Sequence, residues 1–340
     1  MRKQLKLLLL VATVLALFVM AMIVGSADGN VCKNTTTGTE YADFLAACTA
    51  AQSGDTIQLL ADVTVTANGT ALPAGTQLAI DGAYGENQRY KLTIDSTKKN
   101  LFQVAEANVN ITFKNLVIDV KNTEVKYGIA GGSKTSANLG VAFDNCKIDC
   151  QNAGALRSGR MIVSINDCEI TSPGYFVLNN NAKNYETDVT VTGNTTVNIT
   201  GGTTGFTSGN GCNLTIGAQG QNNDNIVINV PTTLMVVADP AAPSIEEQTG
   251  SLTVWGGTIK ATGVNDTNLG MIMANTTAVN IYGGTFELSY SGTYLFSSAA
   301  GAYGHDQYCR RYICSVGRRK LYGRCNGARC KLCHFRYHLG

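Results

Sequence analysis

Two aromatic residues, Trp255 and Tyr282, occupy the same local setting 27 residues apart, each directly before a Gly-Gly-Thr triplet. Each also ends an alternation of apolar and polar residues that is typical of a strand with one buried face. If these segments stack on neighbouring layers, the two rings lie together on the outer surface. Such a pair is a candidate platform for a sugar ring, although a cross-strand pair can also simply stiffen a sheet.

Two carboxylates, Asp119 and Asp149, form a second candidate site at equivalent positions of the repeated segments 109–120 and 139–150. Paired carboxylates can bind calcium or act as acid and base in sugar chemistry. The arginines nearest in sequence, Arg157 and Arg160, are expected on a loop, and residues 1–304 contain no histidine. We therefore predict no catalytic residue, no metal site and no cofactor.

The end of the chain has a different composition. Residues 305–340 carry 9 Lys and Arg against 1 acidic residue, whereas residues 1–304 carry 17 against 23. Five side chains there could ligate zinc: Cys325, Cys330, Cys333, His334 and His338. The basic charge could instead bind an acidic polymer. A shift of the reading frame near residue 303 accounts for the whole change.

The candidate residues lie on a repeat that must position them. Segments 109–120, 139–150, 161–171, 252–261 and 279–288 each alternate apolar and polar residues, break at Asn, Asp or Gly, and alternate again. Equivalent positions are 22 to 30 residues apart, as for Phe113, Phe143 and Ile165. A period of this length is typical of a solenoid built of short strands, and blades of a propeller would be longer. Nine or ten coils fit between residues 55 and 300.

Stacking of the repeats predicts columns of side chains. Three groups are expected inside: Leu116, Ile118 and Val120; Cys146, Ile148 and Cys150; and Cys168 and Ile170. Asn115, Asn145 and Asp167 are expected at the bend, because Asn and Asp tolerate the left-handed conformation. On the outside, Lys147 should pair with Glu169. Cys146 and Cys168 should be neighbours, as buried thiols in preference to a disulfide.

The first residues predict export. A basic start is followed by an apolar run over 7–24 and by small residues near Ala27, which indicates a signal peptide over residues 1–27 or an uncleaved anchor. Residues 40–52 show helical spacing with Tyr41, Phe44 and Cys48 on one face, within a predicted N-terminal cap over residues 28–54. Export would allow Cys32 and Cys48 to form a disulfide across this helix.

An amphipathic helix followed by Gly54, Asp55, Thr56 and Ile57, and then by such repeats, resembles the start of right-handed parallel β-helix proteins of the pectin lyase-like type. The resemblance implies an all-β fold over residues 55–300, a helix covering the first coil, and stacked turn asparagines. The proteins that the chain resembles are repeat proteins that bacteria secrete or display on the cell surface. It favours adhesion or glycan binding without catalysis, with a polysaccharide or cell-surface glycan as the partner and no nucleic acid. The alternative is a lyase or hydrolase of acidic polysaccharides.

The frameshift hypothesis predicts what the gene encodes beyond Tyr303. One of the other two reading frames should restore a Gly-Gly-Thr coil, because a solenoid repeat does not normally change composition within a few residues. Translation of the three frames of the gene checks this. If neither alternative frame continues the repeat, the hypothesis fails and a zinc-binding tail gains support.

Overall fold

The computed structural model describes residues 29–96, 100–104, 108–121, 127–132, 138–151, 154–179, 186–201, 205–209, 211–231, 234–237, 250–261, 270–274, 278–288, 294–297, 314–316, 319–321 and 329–330. The predicted signal peptide, the expected loop around residues 240–248 and most of the Cys/Arg-rich tail, residues 301–340, lie outside these residues.

The described chain is an all-β parallel β-helix, as the repeat predicts. Three sheets run along its length, and successive coils contribute one strand to each sheet in turn. Within the described coils, each strand pairs with the equivalent strands of the coils before and after it, so from Asp55 onward the parallel part of each sheet follows chain order. This arrangement means that residues of one repeat lie beside the equivalent residues of the next.

The first sheet contains Glu40–Tyr41, Cys32–Asn34, Asp55–Leu59, Gln77–Asp81, Val109–Lys114, Asn138–Asp144, Arg160–Asn166, Thr187–Thr192, Cys212–Ile216, Gly250–Val254, Ala278–Ile281, Cys314–Val316 and Arg319–Leu321. The second sheet contains Val63–Val65, Lys91–Ile94, Val117–Val120, Lys147–Cys150, Glu169–Ser172, Thr196–Ile199, Val227–Val230, Thr258–Ala261 and Thr285–Leu288. The third contains Thr70–Ala71, Phe102–Val104, Tyr127–Gly132, Gly154–Ser158, Val177–Asn179, Thr207–Ser208, Met235–Val237, Gly270–Ala274, Tyr294–Ser297 and Arg329–Cys330. Ala83–Tyr84 and Gln88–Arg89 form a separate hairpin.

The predicted register is confirmed in the first two sheets. Phe113 pairs with Phe143, and Phe143 pairs with Ile165. In the second sheet Lys147 pairs with Glu169, and their side chains form an ion pair at 2.9 Å. Both side chains are about half exposed, so the pair contributes less than about 1 kcal/mol. Its value here is as a marker that the coils are aligned as predicted.

The interior consists of the inward columns, which are mainly apolar, with a few buried Ser and Thr side chains such as Ser172, Thr187 and Thr207. The eight side chains predicted inside are each at most 2 % exposed. Phenylalanines add a ladder along the axis, in which the Phe113 and Phe143 ring centroids are 5.3 Å apart and the rings are nearly parallel. Phe176 and Phe206 continue it at 6.0 Å. Burial of these columns, at about 25 cal/mol per Å² of apolar surface, is the main force that closes each coil.

The bend between the first and second sheets, called the first corner, is formed by left-handed residues. Asn115, Asn145 and Asp167 have φ of 51°, 53° and 52°. The Asn145 side-chain amide donates to Asn115 Oδ1 at 2.7 Å, and that of Asn115 donates to Asp81 Oδ1 at 3.1 Å. The stacked turn amides are therefore bonded along the column as predicted, and each coil fixes the bend of the next.

Six cysteines between residues 29 and 288 are buried free thiols: Cys32, Cys48, Cys146, Cys150, Cys168 and Cys212. Cys146 and Cys168 occupy successive inward positions after the first corner, as predicted, and are not joined. Cys32 and Cys48 pack in the core beside the helix without a disulfide. Burial and the nearby Asp43 carboxylate raise the pKa of Cys32 to about 12. A thiol with so high a pKa is a poor nucleophile, so these residues act here as small apolar side chains.

The N-terminal helix, α1, is shorter than predicted: it spans Phe44–Ala50. Glu40–Tyr41 instead forms a strand antiparallel to Cys32–Asn34. Cys32–Asn34 in turn pairs antiparallel with Asp55–Leu59, the first strand of the β-helix. The helix begins where Asp43 caps it, because the carboxylate accepts the Ala46 N–H at 2.6 Å. Among the described residues, no helix is long and apolar enough to cross a membrane.

Asp55 joins this cap to the first coil. Its buried carboxylate accepts the Gln52 backbone N–H at 2.8 Å and the Asn34 amide at 2.7 Å. These two hydrogen bonds lower the pKa of Asp55 below its usual value. Gly54, with φ of 97°, makes the turn immediately before it. The Gly54 and Asp55 pair of the sequence therefore positions the strand that starts the rod.

Strand direction changes at the other end of the described chain. Cys314–Val316 still pairs in parallel with Ala278–Ile281. Arg319–Leu321 then pairs antiparallel with it, and Arg329–Cys330 pairs antiparallel with Tyr294–Ser297. Parallel pairing therefore continues into the basic segment as far as Cys314–Val316 before the antiparallel strands follow, and the frameshift origin of this segment stays a prediction.

Replacement of Asn145 should measure how much the first corner stabilises the rod. Asn145→Ala removes the bond to Asn115 and the bond received from the Arg89 guanidinium, and it places a non-glycine, non-Asn residue at positive φ. We expect a loss of about 2–3 kcal/mol in the free energy of unfolding, measured by urea denaturation.

Asn145→Gly is the matched control, since glycine accepts the same φ without strain. It should lose the side-chain bonds alone and unfold at a higher urea concentration than Asn145→Ala. Equal midpoints for the two variants would show that the left-handed backbone conformation contributes nothing.

Candidate functional site

The predicted aromatic pair exists on the surface of the rod. The ring centroids of Trp255 and Tyr282 are 4.1 Å apart and the ring planes differ by 11°. Tyr282 is 43 % exposed and Trp255 is half-buried. Both residues immediately follow strands of the first sheet in register, Val254 opposite Ile281, so the rings belong to neighbouring coils at the first corner.

The glycines that follow each ring allow this position. Gly257 and Gly284 have φ of 91° and 99°, where other residues are strained. A Cβ on Gly283 would lie 2.7 Å from the Trp255 carbonyl oxygen. The Gly-Gly pair therefore turns the chain tightly enough for the two coils to approach, and the aromatic residue before it stays at the outer edge of the sheet.

The geometry of the stack determines which ring surfaces a ligand can reach. Adjacent strands lie about 4.8 Å apart, so rings 4.1 Å apart and nearly parallel are stacked along the rod. Each ring covers one face of the other. The predicted stacking leaves one outer face on each ring, together with the ring edges. The outer face of Trp255 is directed towards the preceding coil.

The preceding coil presents a glycine beside Trp255. The backbone N–H of Trp255 donates to the Ile216 carbonyl at 2.8 Å. Because Ile216 lies opposite Val254, Gly217 lies beside Trp255. Gly217 has no side chain and a φ of 79°. This glycine allows the chain to turn into residues 218–225, a loop at the first corner that we call the amide loop.

The amide loop is rigid and polar. Asn223 is buried, and its side chain accepts the Ala218 N–H at 2.9 Å and donates to the carbonyls of Ala218 and Gln221 at 3.0 and 3.1 Å. A Cβ on Gly217 or Gly256 would meet Asn223 at 2.6 or 2.7 Å, so the loop is packed against both coils. Five exposed polar side chains project from it: Gln219, Gln221, Asn222, Asp224 and Asn225.

The amide loop was not recognised from the sequence. Its signal was present as a run of Gln, Gly, Asn and Asp between two predicted strands, which is also the ordinary composition of a turn. What distinguishes it is its position beside Trp255, and this depends on which coil the loop follows. An aromatic face bordered by side chains that donate and accept hydrogen bonds can hold a ring that bears hydroxyl groups.

The carboxylate pair is also placed in register. Asp119 lies opposite Asp149 on the second sheet. Asp119 is already engaged, because its carboxylate accepts the Gln151 amide at 3.0 Å and lies 3.7 Å from Lys121 Nζ. Asp144 accepts the Asn166 amide on the first sheet, so it does not join them. In the part of the chain that the structure describes, no cluster of three or more metal-ligating side chains occurs.

The expected position of the two arginines was wrong. Arg157 lies within the strand Gly154–Ser158 of the third sheet, and Arg160 begins the strand Arg160–Asn166 of the first. Repeats that alternate so strictly leave few loop residues, and both arginines lie in strands that pair with the neighbouring coils. Arg157 stacks over the Tyr127 ring at 5.7 Å. Asp119 and Asp149 are therefore not joined by an arginine on the second sheet.

No protein-family model, curated protein or solved structure matches this chain. The class of protein is thus given by its architecture, a parallel β-helix, and the candidate site by its own geometry.

Removal of the Asn223 side chain should loosen the amide loop beside Trp255. Trp255 is the single tryptophan of the chain, so the intrinsic emission at long excitation wavelength reports this position alone. Asn223→Ala breaks three hydrogen bonds, and we expect a red-shifted emission with stronger quenching by acrylamide. Gln219→Ala, an exposed change in the same loop, should leave both unaltered. Identical spectra for all three proteins would mean that Asn223 does not order this site.

Proposed function

We propose that the protein is an exported, non-catalytic β-helix protein of the cell surface or the secreted fraction, which binds glycans. The observation that supports this most directly is the Trp255–Tyr282 stack beside the amide loop. The apolar face of a sugar ring complements the outer face of Trp255, and its hydroxyl groups complement the neighbouring amides. The N-terminal run and the resemblance to pectin lyase-like surface proteins support the location.

The rod supports a binding role in adhesion. Its strands are hydrogen-bonded to neighbours along the whole described stack, so a side chain on its surface is held by a rigid scaffold. Preorganised side chains lose little conformational entropy when a ligand binds. A long, stiff face that carries such a site suits attachment to a polymer or to a cell-surface glycan.

The catalytic alternative has less support from the geometry. A lyase or hydrolase of acidic polysaccharides would need free carboxylates with a base or a metal, and Asp119 is bonded to Gln151 and close to Lys121. The amide loop and the stack contain no Lys or Arg that would pair with an acidic sugar. Binding of glycans therefore accounts for more of the observed site.

Substitution of the two rings tests the proposal on a glycan array. Trp255→Ala should weaken binding by about 30-fold or more, as expected for a central aromatic anchor worth about 2 kcal/mol. Tyr282→Ala should weaken it less, since that ring mainly supports Trp255, and Tyr282→Phe should retain binding because the ring remains. Ile162→Ala, an exposed apolar residue elsewhere on the first sheet, is the matched control.

Unchanged binding in Trp255→Ala and Tyr282→Ala would remove this site from the proposal. Incubation of the full chain with pectins, with and without calcium, tests the alternative. Release of unsaturated or reducing ends that is abolished in Asp149→Asn would favour the enzyme and overturn the binding role.

A further inference from the structure

A second stacked aromatic pair lies on the same edge of the rod. The ring centroids of Tyr84 and Tyr90 are 4.1 Å apart, and their planes differ by 26°. Tyr84 is 41 % exposed, while Tyr90 is half-buried against the core. The pair thus repeats the arrangement of Tyr282 and Trp255, with one ring outermost and one ring anchored.

The second pair is held by the hairpin of Ala83–Tyr84 and Gln88–Arg89. The hairpin is inserted at the first corner: Tyr90 N–H donates to the Gly82 carbonyl at 2.8 Å, and the Tyr90 carbonyl accepts from Val117 of the next coil. The Arg89 guanidinium donates to Asn145 Oδ1, two coils further on. The hairpin therefore lies along the corner in the direction of Trp255.

The edge between the two pairs is lined with polar groups. Asp81, Asn115 and Asn145 form the bonded column described above, and it continues beyond them. Asn166 donates to Asp144 at 2.9 Å, and Asp167 accepts the Asn194 N–H at 2.7 Å. Amide and carboxylate groups that hydrogen-bond hydroxyl groups thus occupy each coil from Tyr90 to Asp167.

The charge of this edge indicates the kind of polymer that it fits. Its acidic residues are Asp81, Glu86, Asp144, Asp167 and Asp224. Its basic residues, Arg89, Lys91, Lys114 and Lys147, are fewer. Arg89 is bonded to Asn145, and Lys147 is paired with Glu169. The excess of carboxylates disfavours an acidic polysaccharide, whereas a neutral one can accept and donate hydrogen bonds to the amides and carboxylates and pack on the aromatic rings.

The spacing of the pairs determines the length of ligand that can reach both. The strand Lys91–Ile94 that follows Tyr90 is separated from Thr258–Ala261, which follows Trp255, by six strand steps in the second sheet. At about 4.8 Å per step, this gives about 29 Å. A terminal sugar or a disaccharide cannot span that distance, but an extended chain can.

We propose that the first corner, from the Tyr84–Tyr90 pair to the Trp255–Tyr282 pair, is one continuous binding edge for an extended neutral polysaccharide. This inference rests on the proposed glycan-binding function and adds a second contact site and a ligand class. Engagement of both ends by one chain makes the second contact intramolecular, which raises affinity without any change at the first site.

The test measures affinity against chain length by calorimetry with the full chain. The probes are graded cello-oligosaccharides and chito-oligosaccharides, which are neutral, and oligogalacturonides, which are acidic. For a neutral series we expect affinity to rise by about tenfold or more once the oligomer exceeds the gap between the pairs. Oligogalacturonides should bind more weakly at every length.

Variants separate the two ends of the edge. The double variant Tyr84→Ala, Tyr90→Ala should abolish the gain with length and leave short oligomers bound as in the unchanged protein. Tyr84→Phe should keep the gain, and Ile162→Ala serves as the control for loss of an exposed apolar side chain. Trp255→Ala should weaken the binding of short and long oligomers alike. Thermal unfolding of each variant shows whether the fold is retained.

The outcomes distinguish this inference from the function on which it rests. Binding that depends on Trp255 but does not increase with length, or keeps its increase in the Tyr84 and Tyr90 double variant, overturns the continuous edge and leaves the proposed function standing. A preference for oligogalacturonides overturns the neutral class. Failure of every oligomer to bind counts against the proposed function and the edge together.

Discussion

The structure depends on the left-handed bend at the first corner, because the position of that bend determines which side chains of a coil point inward and which point outward. Side chains alternate between the two faces of a strand, so a slip of one residue would turn an apolar column towards water. Asn115, Asn145 and Asp167 place each bend at the same position, with φ near 52°. Their hydrogen bonds to neighbouring coils link one bend to the next. Alignment of the columns follows from these contacts.

Alignment of the coils creates both the core and the surface of the rod. Inside, the Phe113 and Phe143 rings stack, and the thiols of Cys146 and Cys168 continue the buried column of Leu116 without a covalent link. Outside, the same repetition stacks Trp255 on Tyr282. An exposed stack of this kind is a direct result of a register chosen by the interior, which explains why a binding site can arise on a repeat without altering its core.

The later coils form the bend at the first corner with different residues. Where the early coils use Asn or Asp, the later coils use pairs of glycines, with Gly257 and Gly284 at positive φ. Glycine has no side chain to hydrogen-bond along the column, although the Gly257 carbonyl accepts the Thr285 backbone N–H of the next coil at 2.8 Å. Its small size lets neighbouring chains approach closely, as the Gly283 position shows. Trp255 and Tyr282 stand directly before these glycine pairs, whereas Tyr84 and Tyr90 belong to a hairpin inserted at an early coil. An edge whose middle is polar and whose ends are aromatic is the consequence.

The sequence by itself determined the architecture, the inward columns, the bend residues, the Lys147 and Glu169 pair and the stacking of Trp255 on Tyr282. All of these follow from a local alternation repeated at a regular interval, and neighbouring repeats supply the partners. Tertiary structure decided the length of the helix, which is limited because Glu40–Tyr41 pairs with Cys32–Asn34. It also decided the strand positions of Arg157 and Arg160, the engagement of Asp119 by Gln151, and the placing of the amide loop and of Tyr84 at one edge. Those features depend on insertions of variable length between strands, and the sequence does not specify which coil an inserted segment will lie against.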